Sequence, residues 1–211
     1  MSHREGTEWR IRVAAIRALA KHGYADLSIK RIGAELGQSS SLLYHYFDDK
    51  DDLLLSTLDL VGEEFVDRRD HDGSSDSKAD LSDLIDSFFD SFAVTTDDVS
   101  TADEIAFDVV LVYVYAELWA QATRDERYRA KITELETQFV DEITRTLERG
   151  IEAGQFRETT PTRTAEHLFA LLLHGLHTKT AVDRDEAAEA TRSSLYHLTE
   201  RELSVDLRDP D

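Results

Sequence analysis

The sequence predicts an all-α protein. Only two prolines and nine glycines interrupt 211 residues, and long apolar patterns of period 3.6 alternate with short polar stretches. The third observation is Ser28 to Phe47, SIKRIGAELGQSSSLLYHYF, which reads as two short helices joined by a tight turn. Together these predict an N-terminal three-helix helix-turn-helix domain over residues 1–49 and a C-terminal helical bundle over 50–211, about nine helices in all.

The pattern places the first helix at about 7–22 and the second at 28–36. Ser28 is positioned to accept a free amide of the second helix, and Ile29, Ile32, Ala34 and Leu36 are read as its core face. Gly37 closes it, because glycine adopts the left-handed conformation that turns the chain without steric cost. Ser39 is placed to cap a third helix at 39–46, whose apolar and aromatic side is Leu42, Leu43, Tyr44, Tyr46 and Phe47. Two turns of helix presenting Gln38, Ser40, Ser41 and His45 suit a DNA major groove.

A helix at 50–69 continues through Leu53, Leu54, Leu58, Val61 and Phe65 and is read as the connector between domains. The polar run DHDGSSDSKAD, 70–80, is a loop by composition. Further helices follow at 79–94, 104–123, 126–153, 162–182 and 185–203. The segment Ile105 to Trp119 is apolar almost all round, as for a helix inside a bundle. Thr160 and Pro161 start the penultimate helix with a hydroxyl cap and a proline in the first turn.

The segment from about Trp9 to Leu55 resembles the DNA-binding domain of the TetR family of regulators. The resemblance lies in an amphipathic helix ending KHGY (Lys21 to Tyr24), a hydroxyl-led second helix, the Gly37 turn, LLYHYF (Leu42 to Phe47) and DKDDLL (Asp49 to Leu54), in the family's order and spacing. It implies base-edge contacts from Gln38, Ser40, Ser41 and His45 and phosphate contacts from Ser28, Arg31, Ser39, Tyr44 and Lys50, with Lys30 and His45 able to reach phosphates. Gln38, Ser40 and Leu42 stand where the family commonly has Val, Lys and Thr, so the operator sequence is the point of departure. The resemblance further implies a homodimer on palindromic double-stranded DNA, built by the two C-terminal helices through Leu172, Leu176, Thr180, Leu195 and Leu198, and a small-molecule effector in the C-terminal domain that releases a repressor from its operator. The alternative is a dimeric DNA-binding regulator without such an input, its C-terminal domain serving dimerisation or partner recruitment.

For an effector, Phe88, Phe92, Phe107, Tyr113, Tyr115, Trp119, Phe139 and Phe169 supply material for an apolar cavity. Asp108 and Glu117 lie in the apolar helix, where an unpaired charge is costly and a cationic ligand or a partner arginine would relieve it.

Charge is distributed unevenly. The chain carries −20 overall, yet residues 1–50 hold eight basic and six acidic side chains, leaving sixteen basic and thirty-eight acidic beyond. This asymmetry fits a nucleic-acid contact at one end of an acidic body. Asp outnumbers Glu by 25 to 19 and Arg outnumbers Lys by 18 to 6, a composition similar to cytoplasmic proteins of salt-accumulating halophiles. In such salt, charge-driven DNA affinity weakens, so hydrogen bonds and fit must carry more of it.

Several classes are excluded. The most apolar window, Val109 to Trp119, is far shorter than the ~20 residues that span a bilayer, and the first residues, MSHREGTEW, lack a secretory apolar segment; a soluble, cytoplasmic protein is expected. No cysteine is present, which removes disulfides and thiolate metal sites. His167, His174 and His177 share one helix, but two neighbouring imidazoles fall short of the four ligands of a structural zinc site, and no metal is expected. Glycine-rich phosphate loops, serine-nucleophile elbows and HExxH are absent, so neither enzymatic activity nor a cofactor is expected.

Overall fold

The computed structural model describes residues 6–70, 76–90, 107–180, 185–205 and 207. Among these the protein is helical throughout: α1 (Thr7–Asp26), α2 (Ile29–Leu36), α3 (Ser40–Leu43), α4 (Lys50–Asp70), α5 (Ser77–Asp90), α6 (Phe107–Gln121), α7 (Glu126–Glu152), α8 (Pro161–Thr180) and α9 (Asp185–Leu203). Packing divides the chain into two units, Met1–Glu64 with Val94–Leu135, and Phe65–Ala93 with Glu136–Asp211.

In the first unit α1 buries Ile11, Ala15, Ile16, Ala18 and Leu19 and packs against α2 and α6. Leucines 53, 54 and 58 on α4 and Leu118 on α6 are fully buried, and α7 contributes Tyr128, Ile132 and Leu135. Residues 107–121 and the start of α7 therefore pack in the same unit as the helix-turn-helix. Gly23, at φ +68°, breaks the helical backbone of α1 after residue 22, where the sequence pattern ends the first helix.

The second unit is a bundle of α5, α8, α9 and the rest of α7. Leu168, Leu172 and Leu176 recur every four residues on α8 and are buried with Phe169, facing Leu81, Leu84, Ile85 and Phe89 of α5 and Leu195 of α9 in the same core. Close approach depends on two helical glycines. A Cβ on Gly175 would lie 2.5 Å from the Phe89 ring, and one on Gly150 would lie 2.2 Å from Phe156. Polar pairs complete the unit: Arg149 with Asp80 at 2.9 Å, and Asp86 accepting from Tyr196 at 2.7 Å and Arg192 at 2.6 Å.

Helix α5 begins at Ser77, inside the stretch that composition assigns to a loop. The cause is local: Asp76 Oδ1 accepts the Lys78 amide at 3.0 Å and Gln155 Oε1 accepts the Ser77 amide at 2.9 Å, so two orphan donors of the first turn are satisfied.

Candidate DNA interface

Helix α2 starts as its sequence dictates. Ser28 Oγ accepts the Arg31 amide at 3.3 Å, and Gly37, at φ +69°, donates its amide back to the helix end. The buried line differs in detail from the expected one. Ile29, Ile32 and Gly33 are buried, Leu36 is half-buried and Ala34 is exposed. Ala34 stands five residues from Ile29, about 140° around the helix, whereas Gly33 stands only about 40° away. Gly33 has its own reason to be glycine. Its carbonyl accepts the Gln38 amide at 2.8 Å, and a Cβ there would meet the Gln38 carbonyl oxygen at 2.9 Å.

The third helix is shorter than the pattern suggests. Regular α-helix spans Ser40–Leu43, and Tyr44 to Tyr46 continue as turns in which the His45 and Tyr46 amides bond three residues back, at 3.2 and 3.0 Å. Ser39 occupies the cap position, but its side chain makes no capping bond. Leu43 and Phe47 face the core, at 0% and 5% exposure, while Tyr44 and Tyr46 stand out at 58% and 41%. The aromatic cluster is thus split between core and surface. Gln38, Ser39, Ser41 and His45 are exposed with the two tyrosines, and Ser40 is half-buried. His45 and Tyr46 stack edge to face with ring centres 5.3 Å apart.

The cations expected at phosphates are not equivalent. Lys30 is exposed on α2. The Arg31 guanidinium instead donates to the Asp26 carbonyl at the end of α1. Lys50 Nζ donates to the Tyr24 carbonyl at 3.1 Å and lies 3.9 Å from the centre of the Tyr24 ring, a cation–π contact.

Tyr24 and its partners are a feature that sequence reasoning passed over, although KHGY was noted as a motif. The Tyr24 amide donates to Glu117 Oε1 on α6 at 2.8 Å, and its hydroxyl donates to Asp51 Oδ1 on α4 at 2.8 Å. Tyr128 of α7, wholly buried, donates its hydroxyl to the same oxygen at 3.0 Å, and its ring meets that of Tyr24 edge to face. Burial first, and then the Asp51 carboxylate, push both phenols above their usual values, so each remains a hydrogen-bond donor. Glu117 accordingly serves the end of α1. Nothing pointed to Tyr128 in advance.

Of the remaining expected positions, Tyr115 is buried and Trp119 is exposed in the first unit, and the others fall in the second unit or outside the described residues. Phe139 and Phe169 pair with ring centres 5.7 Å apart, both buried. Phe88 is half-buried. Phe92, and the side chains of Phe107, Tyr113 and Thr180, lie outside the described residues. Leu172, Leu176 and Leu195 are already buried within one chain, while Leu198 is 48% exposed. A stripe of leucines looks the same in sequence whether its partner is in the same chain or in another. Among the described residues no cluster of His, Asp or Glu has the arrangement of a metal site, and no helix is long and apolar enough to cross a membrane.

Residues 11–57 match the family described as bacterial regulatory proteins of the tetR family, and residues 103–204 match the C-terminal family of BetI-type transcriptional repressors. The chain belongs to the TetR family of helix-turn-helix regulators. A solved TetR regulator from Haloarcula marismortui superimposes with a TM-score of 0.74 at 25% identity, covering 93% of this chain and 97% of the other. A transcriptional regulator from Saccharomonospora viridis, solved with choline, gives 0.71 at 20% identity over 93% and 96%. The HTH-type transcriptional regulator BetI of Brucella anthropi is 42% identical over 45 residues, which are 21% of this chain and only 23% of that protein. This TetR-family protein is therefore a DNA-binding transcription regulator with a C-terminal region of BetI type, and the exposed Gln38, Ser39, Ser41, Tyr44, His45 and Tyr46 lie in the part matched by the tetR family.

Proposed function

We propose that the protein is a homodimeric repressor that leaves a palindromic operator when a small organic cation binds its C-terminal region. The observation that carries this reading is the match of residues 103–204 to BetI-type repressor C-terminal regions. Two others support it. The relative from Saccharomonospora viridis was solved with choline, and the sequence beyond residue 50 is strongly acidic and includes thirteen aromatic residues; acidic charge and aromatic faces are the two features that attract a quaternary ammonium group. Among the described aromatic candidates, Phe88, Phe139 and Phe169 lie in the second unit and Tyr115 and Trp119 in the first.

Dimerisation is a physical requirement as well, because one short recognition helix reads only a half-site. The outward strip of α9, comprising Ala190, Ser194, His197 and Leu198, is exposed, as are His167, Ala170 and His174 on α8. These positions repeat at helical spacing, and Leu198 is the large apolar group among them.

DNA contacts divide by role. Gln38, Ser40, Ser41 and His45 read bases, with Gln38 suited to adenine; Ser28, Lys30, Ser39 and Tyr44 hold phosphates. The test is fluorescence anisotropy with the DNA upstream of the protein's own gene, with and without choline. The reading expects tight binding to one palindromic site, weakened by choline. It expects Tyr44→Ala to weaken binding to all sequences and Gln38→Ala to change base preference. Binding that is unaffected by saturating choline would remove the cation from the proposal, and equal losses from both substitutions on every sequence would remove the role assignment.

A further inference from the structure

Tyr24 follows directly on the Gly23 break, with four residues between it and α2, so its placement sets where the helix-turn-helix begins. Every polar group it has is taken. Its amide is held by Glu117 of α6, its carbonyl by Lys50, and its hydroxyl by Asp51 of α4, which also takes the hydroxyl of Tyr128 from α7. Arg127 approaches the second Asp51 oxygen at 3.5 Å. Helices α4, α6 and α7 therefore converge on one residue at the root of the DNA-reading element. A carboxylate shared by two phenols has a narrow range of allowed geometries, because both donors must point at one oxygen.

We infer that Asp51 is a positioning residue: by holding Tyr24 and Tyr128 on one oxygen it fixes the direction in which each subunit presents its helix-turn-helix, and so selects the spacing of operator half-sites. The inference rests on the homodimeric DNA-binding reading above. It assigns to Asp51 and Tyr128 no contact with DNA, and so predicts an effect on spacing with none on base preference. In a dimer the distance between two recognition helices must match one helical turn of DNA, and a loosened root lets each subunit accept a wider range.

The experiment uses the full-length protein and its selected operator, with one base pair added to or removed from the centre. The unmodified protein is expected to discriminate against both altered spacings by about tenfold or more, the scale on which a charged hydrogen bond acts. Tyr128→Phe and Asp51→Asn are expected to reduce that discrimination several-fold while leaving half-site base preference unchanged. A merely structural role would lower affinity equally at all spacings. Folded variants with the original spacing profile would overturn the inference. Amide exchange of the unmodified protein supplies a reading independent of variant folding: the Tyr24 amide should exchange as slowly as core amides of α1, and rapid exchange there would also overturn it. Should the protein bind no DNA at all, the functional reading fails, and the exchange of Tyr24 still decides whether its root is held.

Discussion

Raising the salt concentration tests the proposed DNA interface most directly, because the structure separates the three cations that the family resemblance places near phosphates: Lys30, Arg31 and Lys50. Each neutralised phosphate contributes about 0.9 to the negative slope of log affinity against log salt. Of these three, Lys30 is the one exposed on α2 with no bond back to the chain among the described residues. Arg31 is held to the Asp26 carbonyl, and Lys50 is turned to Tyr24. Exposed Asp48 and Asp49 stand nearby and oppose further phosphate contact. A dimer using only Lys30 neutralises about two phosphates and has a slope of about −2, whereas one using all three cations per subunit has a slope of about −5.

The two cases separate widely. Between 0.2 and 2 M KCl the first loses about 60-fold in affinity and the second about 10⁵-fold, as follows from these slopes. Anisotropy titrations of a labelled operator at five or six salt concentrations measure the slope, and Lys30→Gln should flatten it further by about 2 for the dimer. A slope steeper than about −4 that Arg31→Gln and Lys50→Gln each flatten as much as Lys30→Gln would overturn this division, since both cations would then have to leave the Asp26 and Tyr24 carbonyls. A shallow slope with tight binding in molar KCl would support the halophile composition as a working condition of the interface.

Three further outcomes follow from single residues. Gly33→Ala should destabilise the first unit by about 1–3 kcal/mol, read by thermal unfolding, because its Cβ would press on the Gln38 carbonyl across the turn. Leu198→Asp should shift the protein from dimer to monomer in analytical ultracentrifugation while leaving its circular dichroism unchanged, since Leu198 is exposed within one chain. The His177 imidazole is held below its usual value by burial first and by His174, against an opposing effect of Glu136; the unfolded chain therefore takes up the proton first as pH falls. The stabilisation it gives is complete above the unfolded value near 6.5 and is lost as pH drops through the folded one, so the difference in melting temperature between the parent and His177→Gln should shrink or change sign between pH 7 and 5.

The legible and illegible parts of this protein differ in what sort of contact defines them. Ser28, Gly37 and the 3.6-residue patterns were legible because caps, turns and amphipathic faces depend on neighbours within a few positions. The helices at 50–70, 126–152 and 185–203 accordingly start or end within a residue or so of where the pattern puts them. Gly33 was missed because its constraint comes from the turn folding back over it. Tyr128 was missed because its partner, Asp51, is 77 positions away. Leu172 and Leu198 sit on opposite sides of the same question: each reads as apolar on a helix face, and only packing says that the first is used up inside the chain.

The same distinction bears on how a regulator that proves to have a shallow salt slope can be selective. Long-range attraction to phosphate is indifferent to base sequence and fades with salt, so a protein that relies on it gains little discrimination in a salty medium. Short hydrogen bonds of the kind proposed for Gln38 and the serines survive salt, but they form only when the donor arrives within a few tenths of an ångström of the base edge. An interface of that kind needs its reading element held at the root, since both subunits must seat their base contacts at once, and a loose root lets one half-site disengage while the other keeps its base preference. The Tyr24 root and the weakly cationic surface are then two parts of one requirement. Loosening the root by Tyr128→Phe should therefore cost more affinity in 2 M KCl than in 0.2 M, where residual phosphate attraction masks the misplacement. Equal losses at both salt concentrations would separate the two and leave the root without a part in recognition.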